Sequence, residues 1–362
     1  MNQKLKIALL VLPWMALPPE KYAGTERIVY ALTEGLVKKG HDVTLFSVGE
    51  TKTSAHLEYI FKKPLGLQSD VYTKIKTSFY PLMHVANCFE QHKKFDIIHS
   101  HAQFLGLPFA AITSTASLHT FHIDLKDLQE DEGALVKRYG HLSFTSLSNS
   151  QRIEGVNYLG TVYNGVDTNK YTPSEKPKRN YILWVGRITS KKGTIDAIKT
   201  AKLLNMPLIL AGRVTEESYF EEVIKKEIDG KQIRYIGNVS TTELASLYRE
   251  ALCVMDPIHW EEPFGLVMAE AMACGTPVTA YNRGSVSEIL RDGLTGFIIE
   301  PEDSIGESKW TVKKKGIDGL VEGVKRIGEI DRKACRKHVE ENFTDEKMVD
   351  SYEKIYYQLT NL

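Results

Sequence analysis

The sequence predicts two doubly wound α/β domains of similar size, each a parallel sheet covered by helices, with the two facing a cleft. Three observations predict it. Short apolar runs of strand length alternate with amphipathic stretches along most of the 362 residues. That alternation falls into two series, separated by a polar stretch holding two prolines. The chain is 42% apolar and 25% charged, enough to fill two cores and too apolar for disorder.

The first series opens at Leu5–Leu12. Lys4 and Lys6 precede the apolar run, which superficially resembles a signal peptide. Pro13 ends the run early, no A-x-A cleavage site follows, and the run is too short to span a bilayer. A first buried parallel strand is the better reading. Thr25–Lys39 follows as a helix, with Ile28, Val29, Leu32, Leu36 and Val37 on one face and Gly40 as its stop. Further strands are expected at Val43–Val48, Phe95–His99, Leu118–His122 and Phe144–Ser148. The break lies at Asp167–Asn180, read as an exposed linker. The second series runs Tyr181–Gly186, Leu208–Gly212, Ile233–Ile236, Leu252–Asp256, Val278–Tyr281 and Gly296–Ile299. A final helical stretch, Asp345–Leu362, carries Tyr352, Tyr356 and Tyr357 and is expected to pack back on the first domain. The expected boundaries are therefore 1–168, 169–344 and 345–362. In open α/β sheets ligands sit at the carboxyl ends of strands, so the cleft is the default site.

Charge and cysteine content exclude several classes. Forty-six Lys and Arg balance forty-six Asp and Glu. Residues 1–168 carry 17 basic against 16 acidic side chains, and the remainder 29 against 30. Neither half offers a basic surface for nucleic acid or anionic lipid. Cys88, Cys253, Cys274 and Cys335 match no zinc spacing and are too few for a disulfide scaffold, so a cytoplasmic protein is expected. No segment reads as transmembrane.

The sharpest chemical segment runs from Glu261 to Gly275. A strand ending at Asp256 leads through a loop into a helix, with Pro263 expected in the first turn and Gly275 just past the end. The amides of Gly265, Leu266 and Val267 would then be unpaired helix-terminal donors, suited to an anion. Glu262 and Glu270 bracket them and suit sugar or ribose hydroxyls. The competing reading is a capped amphipathic helix with Glu262 as a dipole partner. After the first strand of the second domain come Gly186, Arg187 and, five residues on, Lys192-Gly193. Two cations at a carboxyl edge suit a diphosphate, although Lys-Lys-Gly is also common in solvated loops. Tyr22-Ala23-Gly24-Thr25-Glu26 forms a small-residue turn opening a helix. It is neither G-x-G-x-x-G nor a P-loop, which weakens NAD and P-loop chemistry. His119 and His122 close a strand of the first domain, with His99 and His101 as competitors. The four could alternatively form a metal cluster. No two aspartates stand two residues apart, so no D-x-D pair signals a metal on a diphosphate.

At this point the chain resembles a known family. The run E-P-F-G-L-V-x-x-E-A-M-A-C-G-T-P-V from Glu262 to Val278 resembles the E-x7-E signature of the family 4 glycosyltransferases. Gly186-Arg187 with Lys192-Gly193 resembles their G-R-x4-K-G. Tyr163 to Asp167 resembles their interdomain N-G-V-D, and Asp96 to His101 their D-V-V-H-x-H strand. Arg283 to Glu288 and Asp292 to Gly296 resemble R-G-S-x-x-E and D-G-x-T-G. Only the first is specific alone; six in order are not expected by chance.

The resemblance implies the GT-B architecture, two Rossmann-like domains, the first binding acceptor and the second a nucleotide-sugar donor. It implies transfer to a hydroxyl acceptor with retention at the anomeric carbon, from a UDP-sugar by preference, without a metal or other cofactor. By implication Glu270 holds the ribose and Arg187 and Lys192 neutralise the diphosphate. Gly265, Leu266 and Val267 contact phosphate and sugar, and Glu262 holds a sugar hydroxyl. His122 lies beside the anomeric centre, Gly24 packs under the diphosphate, and Gly237-Asn238-Val239 contacts the base. Where the family often has Gly-Gly, this chain has Ala23-Gly24. The alternatives are a nucleotide-sugar epimerase or phosphorylase of similar architecture, or a non-catalytic nucleotide-sugar-binding protein. A first domain of charge +1 favours a soluble acceptor or loose membrane contact. Acceptor identity and oligomeric state are not legible.

Overall fold

The computed structural model describes residues 3–21, 23–66 and 79–360. Tyr22 of the first predicted loop and the last two residues of the C-terminal stretch lie outside the described residues. The chain forms two compact units. One comprises the described residues of Met1–Pro19, Ala23–Gly165 and Asp345–Leu362; the other comprises those of Glu20–Tyr22 and Val166–Thr344.

The first unit contains β1 (Lys6–Leu10), β2 (Asp42–Phe46), β3 (His56–Glu58), β4 (Ile97–Ser100), β5 (Ala116–Thr120), β6 (Ser143–Ser146) and β7 (Tyr158–Thr161). They form one parallel sheet in the order β3-β2-β1-β4-β5-β6-β7. β1 is central, so Ile7, Ala8, Leu9 and Leu10 are wholly buried, as an uninterrupted apolar run requires. Its register sets Ile7 between Val43 and Ile97. The helix Gly24–Lys38 buries Ile28, Val29, Leu32 and Leu36 as predicted, whereas Val37 is only half-buried. Gly40, with φ 91°, turns the chain into β2.

The C-terminal helix Asp345–Thr360 belongs to this unit. Its buried Tyr352 and Tyr356 pack against His99, and Tyr357 donates to the Gln3 carbonyl at 2.7 Å. Lys39 reaches Glu353 at 2.8 Å on the rim of that contact.

The second unit contains β8 (Ile182–Val185), β9 (Leu208–Ala211), β10 (Ile233–Tyr235), β11 (Cys253–Asp256), β12 (Val278–Tyr281) and β13 (Gly296–Ile299). The order is β10-β9-β8-β11-β12-β13, again all parallel. Both sheets wind outward in two directions from the first strand of the unit, the doubly wound topology.

Two strands escape the sequence reading. β3 and β7 are short edge strands of partly exposed residues without an apolar run. Their pairing partner, not their composition, makes them strands. The predicted linker is largely exposed, as expected, but it belongs to the second unit. The unit boundary falls at Gly165/Val166. Tyr171 is 3% exposed and packs near Tyr248, while Arg336 donates to the carbonyls of Tyr171 and Thr168. All four cysteines are free and buried. Among the described residues no helix is long and apolar enough to cross a membrane.

Candidate active site

In the second unit the winding reverses between β8 and β11. The carboxyl ends of two neighbouring strands there lead away in opposite directions and leave a crevice. Each predicted charged residue of this unit lies on a segment that leaves one of these two strands.

Beyond β8, Gly186 is bonded to β9 through its N–H and the Ala211 carbonyl at 3.0 Å. Arg187 follows, exposed and without an ion pair among the described residues. A single 3-10 turn, Ser190–Lys192, precedes the helix Thr194–Leu203. Gly193 joins them at φ 65°, and a Cβ there would lie 1.7 Å from the Pro257 carbonyl oxygen. Only glycine lets the two crevice loops approach so closely. The Trp184 indole donates to the Lys192 carbonyl at 3.2 Å and fixes the turn from below.

Beyond β11 the chain makes a loop to Gly265, which caps the helix Leu266–Ala273 in the left-handed conformation, φ 83°. The helix therefore starts three residues after Pro263, and the expectation of Pro263 in its first turn is corrected. The loop Pro257–Phe264 must stay open to carry Glu262, and Gly265 turns it sharply into the helix. Leu266 and Val267 take the first two helical positions, where no preceding carbonyl accepts from their N–H groups. The amphipathic alternative is also corrected: all eight residues of this helix are buried, Glu270 completely. A carboxylate inside an apolar helix must be hydrogen-bonded. Tyr248, from the helix Thr241–Glu250, donates to Glu270 at 3.0 Å.

Glu262 is held by two donors. Lys192 Nζ lies 2.5 Å from Glu262 Oε2, and the Trp260 indole N–H donates to the same oxygen at 2.8 Å. Lys192 also stands 4.5 Å from the Trp260 ring centroid. Both charged side chains are largely withdrawn from water, 17% and 14% exposed. Asp256, the last residue of β11, is buried beside them. Burial pushes its carboxyl up to about 7, with Glu262 adding to the rise and Lys192 opposing it. Trp260, Asp256 and Tyr248 were not anticipated, because each acquires its role from residues distant in sequence.

The Arg283–Glu288 motif braces this loop. Gly284 N–H donates to the Glu261 carboxylate at 2.7 Å, Ser285 N–H to the Glu262 carbonyl at 2.9 Å, and Ser285 Oγ to the Phe264 carbonyl at 2.7 Å. Gly237, Asn238 and Val239 follow β10 at the same sheet edge, half-buried, with the Gly237 carbonyl accepting from Gly212 N–H at 2.8 Å.

In the first unit the corresponding reversal lies between β1 and β4. Gly24 is the first residue of its helix, after an extended Ala23 that is 8% exposed. His101 and His122 leave the ends of β4 and β5, and His101 Nδ1 lies 2.9 Å from His122 Nε2. Burial lowers His122 to about 4 and His119 to about 3. His119 is wholly buried within β5 and its Nε2 meets Ser117 Oγ at 3.3 Å, a structural histidine. His99 commits both nitrogens, to Tyr356 OH at 2.6 Å and Thr120 Oγ1 at 2.8 Å. Of the four histidines considered from sequence, only His101 and His122 are bonded to each other, and His99 and His119 are held by other side chains. Among the described residues no group of three or more His, Cys, Asp or Glu could hold a metal ion.

Two family descriptions together match residues 22–315: Glycosyltransferase Family 4 over residues 22–170, and Glycosyl transferases group 1 over residues 167–315. The chain belongs to the family 4 glycosyltransferases.

Relatives of this chain include glycogen synthase of Mycobacterium tuberculosis, 28% identical over 240 residues, 58% of each chain. An uncharacterized glycosyltransferase of Methanocaldococcus jannaschii is 26% identical over 348 residues, 83% of this chain and 86% of that one. The chain thus spans 58% of the length of the glycogen synthase it matches. Among solved structures, sucrose-phosphate synthase from Thermosynechococcus elongatus superposes with TM-score 0.80 at 20% identity, covering 99% of this chain and all of that one. Anabaena HepE in complex with UDP and glucose gives 0.72 at 18% identity, covering 98% and 100%. The chain shares the GT-B fold with them.

Proposed function

We propose that the protein transfers a sugar from a nucleotide-diphosphate sugar, a UDP-sugar by preference, to an acceptor hydroxyl with net retention and without a metal ion. One observation carries the reading. At the β8/β11 reversal two cations and a helix N-terminus stand with two carboxylates whose environments differ, Glu262 tethered by Lys192 and Trp260, and Glu270 sealed against Tyr248.

Transfer builds negative charge on the leaving diphosphate while the sugar becomes oxocarbenium-like. Arg187, Lys192 and the amides of Gly265, Leu266 and Val267 meet that charge as fixed donors, which is the work a metal would otherwise do. Glu270 accepts from the ribose and Glu262 from a sugar hydroxyl. Gly237, Asn238 and Val239 face the base. In the first unit Gly24 supports the donor and His122 serves the anomeric centre. HepE, of similar fold, was solved with UDP and glucose, which makes UDP-sugars the first donors to try. Four buried thiols suit a reducing cytoplasm.

A thermal-shift screen of nucleotide-sugars tests the reading. A donor at about a hundred times its Kd adds about 2.7 kcal/mol, a rise on the order of 5 °C or more. The stabilising donor should be hydrolysed or transferred in EDTA, and product NMR should show the donor's anomeric configuration. The reading fails if no nucleotide-sugar stabilises the protein or is turned over.

A further inference from the structure

We infer that His101 is a positioning residue that fixes His122 in the Nδ1-protonated tautomer, making His122 a hydrogen-bond donor and not a base in the reaction. The functional half of this inference rests on the transfer reading above; the tautomer does not.

β4 and β5 are neighbours paired Ser100 to His119, so His101 and His122 emerge side by side from adjacent strand ends. Their rings stand 5.2 Å apart, with His101 Nδ1 and His122 Nε2 at 2.9 Å. Exactly one of these two nitrogens must carry the shared hydrogen.

The far side of His101 decides which. His101 is 2% exposed, and its Nε2 is sealed without a hydrogen-bond partner. If His122 Nε2–H were the donor, His101 would carry its own hydrogen on that sealed Nε2. An orphaned buried N–H is the rarest of unmet groups, whereas an unmet lone pair is more readily tolerated. The hydrogen therefore sits on His101 Nδ1 and is donated to His122 Nε2. Protonation of both nitrogens of His101 is opposed by burial and by the imidazoles of His99, His122 and His119 around it.

The ring of His101 is also held in place. His99 packs against it with centroids 4.1 Å apart, and His99 itself is pinned by Tyr356 and Thr120. The His101 backbone N–H donates to the Leu10 carbonyl at 2.8 Å.

With its Nε2 accepting, neutral His122 must carry its hydrogen on Nδ1. The hydrogen bond of His122 runs through Nε2, and its Nδ1 is not among the sealed polar atoms. It is the one polar atom of the pair left to a ligand, and it offers N–H. The lone pair of His122 is occupied by His101, so the acceptor hydroxyl's proton goes to a basic oxygen of the leaving diphosphate. The new glycosidic C–O bond forms, the old one breaks, and no proton resides on His122.

Long-range 1H–15N correlation on the full chain with labelled histidines reads the tautomer directly, with His122 assigned from a His122→Gln spectrum. The expected result is a protonated Nδ1 and an unprotonated Nε2 on His122. His101→Leu, which cannot donate, should release His122 into mixed tautomers and lower kcat by about 10–100-fold with donor KM within about threefold. His101→Asn, whose amide nitrogen replaces Nδ1, should restore both the tautomer and most of kcat. A wild-type His122 protonated at Nε2 overturns the proposal, as does an unchanged His122 signal in a folded His101→Leu protein. An inactive wild type with the expected tautomer would overturn the transfer reading and leave the His101 assignment standing.

Discussion

Both sheets reverse their winding beside the first strand of the unit, and both carry polar residues at the carboxyl ends there. In the first unit these are imidazoles that burial keeps neutral: His99, His101, His119 and His122. In the second they are charges: exposed Arg187, and Lys192 locked to Glu262 beside a buried Asp256. The same topology thus supports two solutions to burying polar groups. Neutral rings need only hydrogen bonds, so they stack into a wall. Buried charges need partners, so Lys192 and Glu262 sit on loops that a glycine junction brings together.

The comparison breaks first on activity. If the second unit works through placed charge, Arg187→Ala and Lys192→Ala should each lower turnover by about 10²–10³. Steady-state kinetics checks this, with a melting curve for Lys192→Ala because it also leaves Glu262 without its cation. Unchanged turnover in both would remove charge from the account of this unit.

The next effect separates the junctions. Gly193→Ala meets the Pro257 carbonyl at 1.7 Å and a left-handed backbone, and should cost about 3 kcal/mol or more. Gly40→Ala in the first unit, also left-handed but with nothing within 4 Å, should cost only about 1 kcal/mol. Urea unfolding of the two variants would show equal losses if the loop approach carried no special demand.

The last effect is the subtlest, an opposite response to pH. Folded His119 takes up a proton only near 3, against about 6.5 unfolded. Its contribution is present above about pH 6.5 and falls as pH drops, by about 2 kcal/mol at pH 5. Folded Asp256 keeps its proton to about 7, against about 4 unfolded. Its contribution is full below about pH 4 and is lost as pH rises towards 7, by about 2 kcal/mol or more. Urea melts at pH 5 and pH 8 should therefore show His119→Asn relieving the acid loss and Asp256→Asn the alkaline one. Wild-type pH dependence in both variants would mean that neither group is buried as described.

Much of this was legible in the residues. The apolar runs at 5–12 and 278–281 are central or inner strands buried on both faces, so composition alone marks them. β3 and β7 were invisible because an edge strand of mixed residues is defined by its neighbour. Glu262, Glu270, Arg187 and Lys192 could be singled out because they are charges at fixed spacing around a turn and a helix start. Trp260, Tyr248 and Asp256 could not, since nothing local distinguishes an indole that bonds a carboxylate from one that fills a core.

By itself, then, the sequence determined the doubly wound class, the family and the charged residues of the second unit, all of which follow from local periodicity and short-range spacing. Only the tertiary structure decided that Lys192 and Glu262, 70 positions apart, form a sheltered pair, and that burial beside them raises the Asp256 carboxyl. It alone decided which of four histidines keeps an accessible nitrogen. Those outcomes depend on burial and on partners brought together by strand pairing, and a titratable side chain has no charge state or tautomer until its surroundings are set.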